Sequence, residues 1–257
     1  MAKSYTTVTE LPGSGATREQ LAMLYTRYHF AATHCAGKDV LEVACGPGIG
    51  LGYLGQSARF VVGGDYDEVM LRTAHAHYGD RARVLRLDAQ ALPFVGQAFD
   101  VIILFEAVYY LRNPDRFVRE ARRVLRPNGT VLISTVNREW AEFNPSPFSF
   151  RYLSAAELKG MLREQGFTVE LYGAFPAETA SARGRLLSAI RRAAVRLRLI
   201  PPSMRGKQML KRMIYGRLTQ LPAEARDGMA ELSSLAMVSG DGGSRTYKVL
   251  YALGRAP

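Results

Sequence analysis

Six short apolar runs, each set off from the next by a stretch of helical character, fill residues 38–172. This alternation constrains the fold of the chain more than any other feature. The runs are DVLEVA (39–44), FVVGG (60–64), ARVLRL (82–87), DVIILF (100–105), TVLIST (130–135) and FTVELY (167–172). Short apolar runs bounded by turn residues are what buried parallel strands look like, and their alternation with helices builds βαβ units. A seventh run, TYKVLYAL (246–253), closes the chain. The expected fold is α/β: a doubly wound, seven-stranded, mostly parallel sheet.

Helix ends are readable between the runs. Asn113-Pro114-Asp115 sets an N-cap residue before a proline at the first helical position, and the helix is expected to run to the Pro127-Asn128-Gly129 turn. Ser154 and Glu157 have capping-box spacing, and Gly166 stops the helix they open. REQLAMLYTRYHF (18–30) reads as a further helix ahead of the first strand. About seventy residues separate the sixth and seventh runs, too many for a simple connection. Inside this insertion Leu186, Ile190, Ala193, Leu197 and Ile200 form one helical stripe that Pro201-Pro202 ends, and a second basic helix is expected over 207–218. The expected division is an N-terminal helical segment (1–35), an α/β domain (36–175 and 245–257), and a basic helical cap (176–244) over the carboxyl ends of the strands.

Charge is unevenly placed. The chain of 257 residues carries 34 Lys and Arg against 23 Asp and Glu. Eleven of those cations lie between Thr179 and Ala223, where there is no acidic residue, so the remainder is formally neutral. The longest apolar stretch, Val101 to Leu111, is interrupted by Glu106 and falls short of the ~20 residues that span a bilayer. The first thirty residues lack the pattern of an export signal, and two cysteines, Cys35 and Cys45, make no disulfide framework. A cytoplasmic protein is expected.

The segment VLEVACGPGIGLGYL (40–54) passes from an apolar strand holding Glu42 into a glycine-rich turn and a helix. Gly46 and Gly48 let the backbone turn tightly and approach a ligand. A dinucleotide fingerprint, G-x-G-x-x-G, fits in neither register: the third glycine position is Leu51 or Tyr53. Glu42-Val-Ala44-Cys-Gly46-Pro-Gly48 instead resembles the first motif of class I S-adenosylmethionine-dependent methyltransferases. Further sites follow in that family's order over residues 40 to about 172. The resemblance implies that Glu42, Ala44 and the Gly46/Gly48 turn meet the methionine and ribose portion of S-adenosylmethionine. Asp65, ending the second run, would accept the ribose hydroxyls, and Tyr66 would pack on the adenine. Asp88 would take the exocyclic amine, with the Ala89 N–H at a ring nitrogen. FDVIILFEAVYYL (99–111) resembles the fourth-strand motif, with Phe105 on the floor beside the methyl group, and VLRPNGTVLIST (124–135) the helix-turn-strand after it. The product would be S-adenosylhomocysteine.

Methyl transfer from a sulfonium needs orientation and a dry site more than acid–base help, because the leaving group is already activated. A hydroxyl acceptor must still lose its proton, and Glu106, Tyr109, Tyr110 and His29 are the candidate bases. Many small-molecule relatives carry a Glu-His pair where this chain has Tyr109-Tyr110, so no base carries over from them. Other residues have plainer readings. Cys45 should pack in the turn, and His75 and His77, two apart on a helix, should be solvated. Tyr25, Arg27, Tyr28 and His29 could close over the cofactor carboxylate or simply pack. Asn144-Pro145-Ser146-Pro147-Phe148 echoes the N-P-P-Y/F motif of nucleic-acid methyltransferases but comes too late in the chain. No His, Asp or Glu spacing suggests a metal site.

The basic insertion bears on the acceptor. It reads as a solvated face, as an arginine clamp for anionic acceptors such as nucleotide sugars or phosphate-linked glycans, or as an amphipathic segment (183–217) on an anionic membrane, bringing a lipid-linked acceptor to the cleft at the inner face. Similar chains with such a cap favour glycan or secondary-metabolite tailoring. RNA is less favoured, since Tyr215 is the one aromatic among those cations. A nicotinamide-dependent oxidoreductase on a related fold is a rival, although no tyrosine has lysine four residues on, as the short-chain type requires. A non-catalytic docking subunit is the other.

Overall fold

The computed structural model describes residues 9–177, 218–239 and 244–257. Along the chain these form β1 (Gly15–Ala16), α1 (Arg18–Cys35), β2 (Asp39–Val43), α2 (Leu51–Gly55), β3 (Phe60–Asp65), α3 (Glu68–Tyr78), β4 (Arg83–Arg86), β5 (Phe99–Phe105) and α4 (Pro114–Val124). They continue with β6 (Leu125–Val136), α5 (Ala155–Glu164), β7 (Thr168–Pro176), β8 (Thr219–Gln220), β9 (Ala236–Met237) and β10 (Tyr247–Arg255).

Each expected run is a strand of one sheet, ordered β4-β3-β2-β5-β6-β10-β7-β9. Pairing is parallel from β4 to β6, and β10 enters antiparallel between β6 and β7. The eighth strand, β9, is a two-residue edge beside β7 that offers no periodicity to read. β1 and β8 form a separate two-stranded ribbon.

The caps act as their chemistry requires. The Asn113 side chain accepts from the Arg116 N–H with Pro114 opening α4, and Ser154 and Glu157 satisfy each other's backbone N–H groups. A second box, Thr17 with Gln20, starts α1, which continues past the expected His-Phe end to Cys35. α4 is shorter than expected, ending at Val124 because β6 begins at Leu125 and accommodates the Pro-Asn-Gly turn in a bulge.

Strand alternation sorts residues between two cores. Ile102 and Leu104 of β5, with Leu41 and Val43 of β2, pack towards Phe117 of α4 and Leu158 and Leu162 of α5. Val101, Ile103 and Phe105, with Val40, pack towards Leu21, Leu24 and Tyr28 of α1. Glu42 lies between Leu41 and Val43 and so shares the face of Val40, against α1. The two helices expected in the insertion, over 186–200 and 207–218, lie outside the described residues but for Leu218. Its described end, 218–239, is an extended strap rather than a helix. The strap buries Leu221 and Ala225 beside α1 and α2, and Ala225 donates its N–H to the Ile49 carbonyl at 2.7 Å.

Candidate active site

A cleft of about 760 Å³ opens over the carboxyl ends of β2, β3 and β5, where parallel α/β sheets bind ligands. Its base is the turn after β2. Ala44, Gly46 and Gly48 have φ of 57°, 56° and 81°, a left-handed path costly for most residues. At Gly48 a Cβ would also stand 3.1 Å from each of Ala74, Leu51 and Tyr78.

Asp65 closes this turn from the neighbouring strand. Its carboxylate accepts the Gly46 N–H and the Asp67 N–H, each at 2.8 Å. Burial pushes its pKa up, against the pull of those two amides. Tyr66 is half exposed with the Arg86 guanidinium 5.5 Å from its ring centroid. Asp88 is exposed and accepts the Gln90 N–H at 2.8 Å, whereas Ala89 is buried; all four positions line the cleft.

Glu42 is only 1% exposed. One carboxylate oxygen, Oε1, accepts from the Tyr28 hydroxyl at 2.8 Å, and the other, Oε2, is buried with no partner among the described residues. A buried orphan acceptor carries a desolvation cost unless a ligand supplies the donor. Burial raises the Glu42 pKa to about 7, with the Tyr28 hydrogen bond and the Arg27 charge pulling it down and Asp65 pushing it further up.

Phe105 forms part of the cleft wall, edge-on to Tyr28 at 5.8 Å. Glu106 follows with φ of 51°, a strained conformation for a side-chain-bearing residue. Its carboxylate accepts from the Tyr109 hydroxyl at 3.2 Å and the Ser134 hydroxyl at 3.4 Å, and burial raises its pKa. Tyr109 is fixed by stacking on Tyr152, with centroids 4.2 Å apart and planes at 20°. Tyr110 also lines the cleft and donates to Ser146 at 2.9 Å, so the Asn144–Phe148 stretch, distant in sequence, lies against the end of the fourth run.

The structure separates the aromatic cluster of α1. Arg27 and Tyr28 line the cleft. Tyr25 and His29, one turn apart on the helix, face the strap instead: Tyr25 and Tyr53 both donate to Asp227, at 3.2 and 2.7 Å, and the His29 ring lies 3.2 Å from the Tyr53 hydroxyl. His29 therefore stands away from where a base would act, because it does not line the cleft. His75 and His77 are both exposed, and His77 also pairs with Glu224 of the strap at 3.1 Å. Cys45 packs in the turn at 4% exposure.

Four contributors carry little or no sequence signal. Glu10 lies 3.6 Å from Arg27, and Val249 and Tyr251 reach the cleft only because β10 threads back beside β6. Gly50 is required by a distant side chain: a Cβ there would fall 1.8 Å from the Tyr28 ring.

Residues 41–133 match a methyltransferase domain family. A probable S-adenosylmethionine-dependent methyltransferase of Mycolicibacterium smegmatis is 38% identical over 61% of this chain and 64% of its own length. A phthiotriol/phenolphthiotriol dimycocerosates methyltransferase of Mycobacterium ulcerans is 37% identical over 51% of this chain and 52% of its own. The chain thus spans less than two thirds of the length of these curated relatives. Among solved structures, an S-adenosylmethionine-dependent methyltransferase of Thermotoga maritima has the same fold, with a TM-score of 0.60 at 15% identity over 93% of this chain and 92% of that one. Cleft, strand order and domain match agree: residues 41–133 match a methyltransferase domain, and the chain has the Rossmann-like fold of solved methyltransferases.

Proposed function

We propose that the chain transfers a methyl group from S-adenosylmethionine to a small-molecule or lipid-linked acceptor. The observation that carries this reading is the orphan Oε2 of Glu42, a buried acceptor in a cleft that also holds Asp65 and Asp88. Such a site suits a cationic, hydroxyl-rich adenosine donor better than an anionic dinucleotide, whose phosphates three carboxylates would repel. Bound there, the donor supplies a methyl group activated by its sulfonium.

The chain's own residues do the rest. Glu42 and the turn at Ala44, Gly46 and Gly48 hold the amino-acid end, with Arg27 available to the carboxylate. Asp65 takes the ribose hydroxyls. Tyr66, Asp88 and Ala89 hold the adenine. Phe105 excludes water, and Glu106 is placed to receive the acceptor's proton, its carboxylate aligned by Tyr109 and Ser134.

A relative named for a dimycocerosate supports a lipid-linked acceptor, and the basic stretch within 183–217 is suited to an anionic surface or phosphate group. No helix of the described residues is long and apolar enough to cross a membrane. The test is incubation of the purified protein with methyl-labelled S-adenosylmethionine and fractionated extract, followed by partition of label among lipid, sugar and RNA. Label in a small-molecule or lipid fraction supports the proposal. Label only in RNA, or binding of NAD without binding of S-adenosylmethionine, overturns it.

A further inference from the structure

The N-terminal helix lies outside the matched domain, yet one of its side chains reaches the acid at the centre of the cleft. Tyr28 extends from α1 over the glycine turn, and its ring occupies space that any residue but glycine at position 50 would fill. The ring is held on two sides, by Phe105 edge-on at 5.8 Å and by the Arg27 guanidinium 5.6 Å from its centroid. Its hydroxyl therefore has one direction available, towards Glu42 Oε1 at 2.8 Å. That contact leaves Oε2 buried and unpartnered on a residue that lines the cleft.

We propose that Tyr28 is a positioning residue for the donor: it fixes Glu42 so that Oε2 meets the α-ammonium of the bound S-adenosyl ligand, and thereby makes α1 part of the donor site. The inference rests on the methyltransferase reading above. It goes further by giving a non-domain residue control of how the cleft recognises the amino-acid half of the donor.

The tyrosine hydroxyl also governs the charge of Glu42. A hydrogen bond donated to the carboxylate favours its ionised form. The other groups facing Glu42 are Arg27 and Cys35 of α1, Asp65 of β3, Cys45 of the turn and Tyr78 of α3. Of these only Arg27 is cationic, so Tyr28 is one of two side chains that draw Glu42 towards the carboxylate an ammonium requires. Without the hydroxyl, Glu42 takes up its proton at a higher pH.

The experiment is calorimetric titration of wild type and Tyr28→Phe with S-adenosylhomocysteine and with methylthioadenosine, which lacks the amino-acid half, from pH 6 to pH 8.5. Tyr28→Phe keeps the ring and its packing, so the fold should survive, and circular dichroism checks that. The expected result is roughly tenfold weaker S-adenosylhomocysteine binding at pH 7, the scale of one charge-assisted hydrogen bond. The pH at which binding falls off should move upward, with methylthioadenosine affinity unchanged. Gly50→Ala, which displaces the ring, should reproduce the selective loss. Equal S-adenosylhomocysteine affinity and pH profile in wild type and Tyr28→Phe would overturn the assignment while leaving the methyltransferase reading intact. Equal loss for both ligands would reduce Tyr28 to packing and also overturn it. Failure of wild type to bind either ligand would overturn the underlying reading.

Discussion

The Asp65 carboxylate accepts the backbone N–H of Gly46 at 2.8 Å, so the end of β3 and the glycine turn after β2 are joined by a charge-assisted hydrogen bond across neighbouring strands. One acid thus shapes the turn and faces the cleft. Asp65→Ala should weaken S-adenosylmethionine binding by roughly 2 kcal/mol, the loss expected of hydrogen bonds to a charged group. Calorimetric affinity equal to wild type would exclude Asp65 from the donor site.

Glu42 sets a conflict between stability and function. Its folded pKa, about 7, lies above the ordinary value of 4.5, so the folded state binds its proton more tightly than the unfolded state does. The sign follows: its favourable contribution is complete below pH 4.5 and is lost as pH rises through about 7. Glu42→Gln should therefore stabilise the ligand-free protein at pH 8, by roughly 1–3 kcal/mol, and leave it nearly unchanged at pH 4.5. Urea titrations at both pH values measure this, and the same variant should bind the donor poorly.

Gly50 admits the Tyr28 ring. Gly50→Ala forces a methyl group against the ring, with a cost of about 1–3 kcal/mol for overpacking. Gly55, where a Cβ would meet nothing, is the control: Gly55→Ala, inside α2, should be neutral or slightly stabilising. Thermal melts of the two variants should differ by several degrees.

In the proposed reaction Glu106 acts after the donor is bound. For a hydroxyl acceptor, Glu106→Gln should leave donor affinity within a few-fold of wild type and lower label transfer by about 10²–10⁴. Tyr109→Phe, which removes one of the two hydroxyls aligning the carboxylate, should have a smaller effect on turnover. Undiminished transfer by Glu106→Gln would assign proton removal to solvent or to the acceptor itself.

Asp227 fastens the strap to α1 and α2 through Tyr25 and Tyr53. Asp227→Ala leaves two phenolic hydroxyls without their acceptor and should cost about 1–3 kcal/mol. Limited proteolysis should then cut within 218–239 faster than in wild type, whereas an unchanged cleavage pattern would show that the strap's other contacts, among them His77 with Glu224 and β9 with β7, suffice to hold it.

The sequence by itself determined the seven main strands, their alternation with helices, the two helix caps at Asn113 and Ser154, and the positions of Glu42 within its strand and of Asp65, Asp88 and Glu106 at or just past strand ends. These are local matters: continuous apolar runs, cap chemistry and turn glycines are written into adjacent residues. What pairs with what was decided only in three dimensions. That Tyr28 rather than His29 enters the cleft depends on the angular placement of α1, where one residue's step rotates a side chain by about 100°. That Gly50 serves a side chain 22 positions earlier in the chain, and that Tyr251 joins a cleft built mainly from residues 42 to 112, depends on β10 threading between β6 and β7 and on α1 folding back over β2. Such contacts form because the buried surfaces of distant elements must fill one another, and close packing has no signature within a short window of sequence.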